Sequence, residues 1–177
     1  FDIVIMLDYG HGLITPRMAR LVEDKAEYVA VNTQLNSFNV GYHTISKYRK
    51  ANYVCVHEGE LRHDYRSRVD TVEHLTERLS KQVKSDIIVV TRGDKGSLVF
   101  ENNNFTSCPA YATKVVDRVG AGDTLLAITS LCFATGVPAD LTLFIGNLAA
   151  SKKLEAIGTC MKLSKIDLLR SMNFLLK

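Results

Sequence analysis

Four short apolar runs dominate the first half of the chain: FDIVIML at the start, YVAVN (28–32), NYVCVH (52–57) and DIIVVT (86–91). They are near-continuous rather than alternating, so each reads as a strand covered on both faces, the condition of a parallel sheet. Helix-forming stretches separate the runs. TPRMARLVEDKA (15–26) has Thr15 placed as an N-cap, Pro16 at the first helical position and apolar Met18, Leu21 and Val22. GYHTISKYRKA (41–51) and the stretch 70–83 supply the next two helices. Strand, helix and strand in repetition require right-handed crossovers, and so predict an α/β fold: a three-layer sandwich with a mostly parallel sheet flanked by helices. SLVFEN and NFTSCPA follow with a polar turn at 102–104, which predicts an edge β-hairpin. From Ala121 onward the pattern is helical, over 121–135, 138–156 and 164–175.

With 177 residues and 46% hydrophobic content, such a chain hides roughly 70% of its unfolded surface around one core. No repeat, low-complexity tract or linker divides it, so 1–177 reads as a single domain. The formal charge is only +3, and no basic block interleaved with aromatics is present, which argues against a nucleic-acid partner. Cys55, Cys108, Cys132 and Cys160 are far apart and form no CxxC pair, so they predict neither a zinc site nor a disulfide framework. They read as reduced thiols of a cytoplasmic protein. No apolar run approaches the ~18 residues needed to span a bilayer, so a soluble protein with no membrane contact is expected. Phe1 opens directly on a strand, from which further sequence upstream is expected.

In an open α/β sheet, ligands sit beyond the carboxyl ends of the strands. The polar ends are DYGHG (8–12), HEGE (57–60) and TRGDKG (91–96), joined by VVDRVGAGDT (115–124), a glycine turn that opens a helix. Gly120, Ala121 and Gly122 in that position aim backbone N–H groups and the positive end of a helix dipole at one point, which makes an anion site. Glycine at 120 and 122 allows positive φ and close backbone approach. A carboxylate in the same turn is out of character for a site that only binds phosphate. Asp123 is placed to accept the proton of an attacking hydroxyl while the N–H groups stabilise a phosphoryl group in transit. The alternative is that Asp123 only caps its helix. GxxxxGK[ST] and GxGxxG are both absent.

In order and spacing, HEGE, TRGDKG, VVDRVGAGDT and FIGNLAAS (144–151), with Gly158 beyond, resemble the C-terminal half of ribokinase-like carbohydrate kinases, the PfkB family. DYGHG resembles the heptose-phosphate kinase branch. The resemblance implies an ATP-dependent sugar or sugar-phosphate kinase with Asp123 as general base and Gly120, Ala121 and Gly122 as the anion hole. It places Thr91, Gly93 and Gly96 beside the nucleotide and Asn147 on the adenine side. It assigns Asp117 and the carbonyls around Gly158 to a monovalent cation such as potassium. Glu60 matches the acidic end of an Asn-x-x-Glu motif that organises magnesium and water. The partner would be a small sugar or sugar phosphate. Fusion to a second catalytic domain and pairing as a homodimer through a lid are further implications.

Three departures stand out. His57 replaces the motif's Asn, Arg118 is bulkier than the Thr often found there, and the family's N-terminal sugar pocket and lid match nothing in the chain, so the stretch alone is expected to be inactive. A non-catalytic nucleotide-sensing or scaffold module of a larger fused enzyme is therefore the second reading. His11, His43, His63 and His74 read as surface residues and RHDYRSR (62–68) as a solvated, mobile segment. Asp8 reads as a cap on its glycine turn, and the apolar stripe through 125–148 as core.

Overall fold

The computed structural model describes residues 1–37, 39, 44–155 and 163–176. Its strands are β1 (Ile3–Asp8), β2 (Tyr28–Thr33), β3 (Ala51–His57), β4 (Ser85–Thr91), β5 (Ser97–Glu101) and β6 (Asn104–Cys108). The helices are α1 (Pro16–Lys25), α2 (Glu58–Asp64), α3 (Val72–Val83), α4 (Ala121–Ala134), α5 (Ala139–Leu154) and α6 (Lys165–Leu175). The strands form one six-stranded sheet in sequential order. β1 to β4 are parallel, with registers such as Ile5↔Ala30, Val31↔Val54 and Val54↔Ile88. β5 and β6 are joined by a two-residue turn in which Asn102 and Asn103 have φ of 51° and 61°. Positive φ at both central residues is the turn type that matches strand twist in a hairpin, so the predicted edge hairpin is present.

The chain divides into two compact units, Phe1–Thr91 with Leu98–Thr106, and Arg92–Ser97 with Ser107–Lys177. In the first, Val29, Val31, Val54, Val56, Ile88 and Val90 make one side of a core shared with Ala19, Leu61, Leu75, Leu79 and Val83. Ala30, Tyr53, Cys55 and Val89 point the other way and are buried too. Burial on both faces is what continuous apolar strands require, because an alternating strand would leave one face wet.

Helix α1 starts as expected, with Thr15 Oγ1 accepting from Met18 N at 3.2 Å, but Met18 and Leu21 are exposed. Its inward face holds Ala19 and Glu23 instead. Glu23 is buried because it has partners: Arg20 at 2.6 Å and the Arg49 N–H at 2.9 Å. Around the same segment Asp8, 3% exposed, accepts from the Gly10 N–H at 3.1 Å and from the Tyr48 hydroxyl at 2.7 Å, and pairs with Lys47. Its capping role is borne out. Burial and the neighbouring Asp8 push the Tyr48 phenol well above its usual range, which keeps it a hydrogen-bond donor to the carboxylate.

Two expectations fail. Of the helix expected over 41–51, the described part is only a 3-10 turn, Ile45–Lys47, followed by β3 from Ala51; residues 41–43 lie outside the described residues. The side chains of that turn are spent on tertiary bonds, since Lys47 donates to Ile14 O at 2.9 Å and pairs with Asp8. RHDYRSR is not solvated throughout either, although Arg66 and Arg68 are exposed. Arg62 bonds Glu58 at 2.9 Å and Asp70 O at 2.9 Å, Ser67 is buried, and the Arg78 guanidinium lies 4.4 Å over the Tyr65 ring. Burial holds the Tyr65 phenol up at about 12, protonated to donate to Gln82 at 2.7 Å.

Candidate active site

In the first unit the parallel register aligns the strand ends. Asp8 stands opposite Thr33, and His57 opposite Thr91. The chain turns from β3 directly into α2 through a capping box: His57 Nδ1 accepts from Gly59 N at 3.0 Å, and Glu60 Oε2 accepts from His57 N at 2.7 Å. The four-residue spacing is the signature of Ser-x-x-Glu with an imidazole in place of the hydroxyl. Sequence reading singled out both residues but not the cap, because histidine is not among the common capping residues. Glu60 Oε1 also accepts from Leu35 N at 3.0 Å. A carboxylate has about four lone-pair sites, and the two N–H bonds fix where the Glu60 carboxylate stands. A recess of about 20 Å³ beside it, lined by Thr33, Thr44, Val56 and Asp64 among others, has room for one water molecule. We expect His57→Ala to lower unfolding free energy by about 1 kcal/mol, the usual cost of a lost cap, and His57→Asn to cost less than half of that; urea denaturation of the two variants against the parent measures both.

In the second unit the loop after β4 folds into a 3-10 turn, Gly93–Lys95, closed by Gly96 N to Gly93 O at 3.1 Å and Arg92 N to Gly96 O at 2.8 Å. Gly96 has φ of 81°, and a Cβ there would lie 2.0 Å from Cys108 O and 2.6 Å from Pro109 C. No other residue fits. Asn147, 7% exposed on α5, donates from Nδ2 to Ser97 Oγ at 2.6 Å, so it tethers the end of this loop to α5. Next to it, a Cβ on Gly146 would meet Thr129 Cγ2 at 2.5 Å, so α5 approaches α4 as closely as a bare backbone allows. Of the stripe expected to be core, Leu125, Leu126, Phe133, Leu143 and Leu148 are buried, whereas Leu131 and Leu141 are exposed.

The glycine turn is anchored to the far end of α5. Val116 N and Asp117 N both donate to Leu154 O, at 2.8 and 3.2 Å. Asp117 Oδ1 accepts from Val119 N at 3.0 Å, leaving Arg118 exposed. Gly120 then takes φ of 80° as the N-cap of α4, and Thr124 closes the first helical turn onto Gly120 O through its N–H at 3.0 Å and its hydroxyl at 2.8 Å. Gly120 needs its glycine for φ; Gly122 does not. Gly122 is helical and exposed, and a Cβ there would meet nothing within 4 Å. The expectation that both glycines serve backbone conformation therefore holds only for Gly120. The cap brings no side chain to the helix end, and Asp123 lies in the first turn.

The second unit thus gathers Gly93, Gly96 and Asn147 at one end of β5, and Asp117, Gly120, Ala121, Gly122 and Asp123 at the start of α4. The first carries Glu60 and Thr91. Gly158 lies outside the described residues, as does Cys160; Cys55, Cys108 and Cys132 form no disulfide. Among the described residues no cluster of three metal-ligating side chains occurs, and no helix is long and apolar enough to cross a membrane.

Known proteins share the sequence pattern and the fold of this chain. The chain is 30% identical over 164 residues to the bifunctional protein HldE of Bradyrhizobium diazoefficiens, covering 90% of the chain and 33% of the relative. It therefore spans about a third of the length of that protein. Among solved structures, ribokinase from Thermotoga maritima superposes with a TM-score of 0.77 at 19% identity, covering 99% of this chain and 57% of that one. Phosphofructokinase-2 from Escherichia coli in complex with potassium gives 0.80 at 16% identity, with the same coverage of 99% and 57%. Both share the fold. The model of the pfkB carbohydrate kinase family matches residues 17–166, a span that contains the ends of β2 to β4, the glycine turn and both of its supporting helices, and the chain belongs to that family.

Proposed function

We propose that the protein to which this chain belongs transfers the γ-phosphoryl group of ATP to a hydroxyl of a sugar or sugar phosphate, and that the described residues hold the nucleotide's phosphates and the general base. The observation that carries this reading is Gly122. The fold leaves space above it and does not ask for glycine, whereas an anion lying on the helix end would fill that space. The N–H groups at the start of α4 stabilise charge on the phosphoryl group, and Asp123 takes the proton of the attacking hydroxyl. Gly93 and Gly96 place no side chain of their own in the loop after β4, and the Asn147 to Ser97 bond ties the end of that loop to α5. Magnesium, when bound, neutralises phosphate charge; Glu60 fits it through water. Asp117, at the base of the glycine turn, is the side chain offered to potassium. The DYGHG strand end and the similarity to HldE support a heptose-type sugar phosphate as the substrate class. Fusion to a second catalytic domain, pairing with a second copy and a cytoplasmic location belong to the same proposal.

The second reading, a kinase-like module without catalysis, has one observation in its favour: His57 is used to cap α2 rather than to offer the amide of the family motif. Calorimetry separates the two. The full-length protein with magnesium is expected to bind ATP and to transfer phosphate to a heptose phosphate, more tightly with potassium than without; binding without transfer to any sugar in a broad panel establishes the module, and absence of ATP binding overturns the kinase reading.

A further inference from the structure

Two carboxylates, Asp117 and Asp123, occupy the turn that the kinase reading assigns to a polyanion. Phosphate entering such a turn meets two carboxylates as well as the helix end, and a cation held beside the turn by the chain itself favours the anion. Lys153 is placed to be that cation. Its Cε lies 3.1 Å from the point that a Cβ on Gly120 would occupy, and the ammonium is one bond further on. Lys153 is half-buried in the last turn of α5. The residue after it is tied to the same turn, because Leu154 O accepts both the Val116 and the Asp117 N–H groups. The lysine stem therefore lies along the glycine that needs no side chain of its own. Lys152, one residue earlier, faces Glu155 at 3.8 Å, and Arg118 is exposed.

We propose that Lys153 is a phosphate-contacting residue of the site, holding the transferred phosphoryl group against the start of α4. This rests on the kinase reading. The competing role is the ordinary one of a lysine at a helix C-terminus, favourable to the dipole and shared with Lys152.

The test measures nucleotide binding to the full-length protein by calorimetry, with ATP and AMP as probes and magnesium present, for the parent and for Lys153→Gln, Lys153→Arg and Lys152→Gln. A charged hydrogen bond to phosphate is worth about a tenfold change in affinity or more. The expected result is a loss of about tenfold in ATP affinity for Lys153→Gln, little change for AMP, substantial recovery in Lys153→Arg, and parent-like binding in Lys152→Gln. Equal losses in Lys153→Gln and Lys152→Gln, or parent-like ATP binding by Lys153→Gln with an unchanged melting temperature, would overturn the proposal and leave the kinase reading standing. A parent protein that binds neither nucleotide removes both together. If Lys153→Gln melts well below the parent, Lys153→Arg alone decides: ATP binding weakened as far in it as in Lys153→Gln refutes the phosphate contact.

Discussion

Asp123→Asn in the full-length protein lowers turnover by about 10²- to 10⁴-fold, the range spanned by general bases, while ATP affinity stays within a few-fold. The separation follows from where the groups stand. In the proposed site the anion lies against backbone N–H groups at the start of α4, and these do not change with the side chain at 123. Asn keeps the size and the capping capacity of Asp but cannot take a proton. If Asp123 were only a first-turn partner of the helix, the substitution would change stability and binding together and spare catalysis. Steady-state kinetics with heptose phosphate, beside calorimetry with ATP, measure the two quantities separately, and a parallel loss in both would place Asp123 in the helix rather than in the reaction.

The second large effect is structural. Gly96→Ala is expected to destabilise the protein by more than about 3 kcal/mol. Positive φ alone costs an alanine about 1 kcal/mol, and the remainder comes from the Cβ lying 2.0 Å from Cys108 O, a backbone atom that cannot turn away as a side chain would. Gly93 is the control. Its φ is 62°, but a Cβ there meets nothing within 4 Å, so Gly93→Ala carries only the conformational cost. For a chain of this size each kcal/mol shifts the melting temperature by about 2–4 °C, so the two alanine variants differ by several degrees. Equal melting temperatures would mean that the β4 to β5 loop relaxes away from the hairpin without cost.

What the residues revealed beforehand and what they concealed follow from range. IVIML, YVAVN and DIIVVT declare buried parallel strands because burial on both faces leaves a local mark, a run with no polar beat. Thr15 with Pro16, and Gly120 ahead of an apolar stretch, declare helix starts because caps act within one turn. The segment 44–51 concealed its state because Lys47 and Tyr48 are held by Asp8, some forty residues away, and no window around them contains that partner. RHDYRSR looked solvated for the same reason: Arg62 is answered by Glu58 and the Asp70 carbonyl, and Tyr65 by Gln82 and Arg78. At the site, Gly120 and Gly122 look alike as letters. Only the backbone shows that one is required by φ and the other is not, and His57 conceals its cap because imidazole seldom plays that part.

The support of the glycine turn lies close to it in sequence. Val116 and Asp117 are tied to Leu154, α4 and α5 pack against each other at Gly146 and Thr129, and everything between is one helical hairpin. Closing such a stretch costs little chain entropy and forms contacts that are local along the polymer. The parallel strands are different, since each waits for a crossover to bring its neighbour. In the order of assembly, then, the glycine turn and its two helices have the shortest route to their final form.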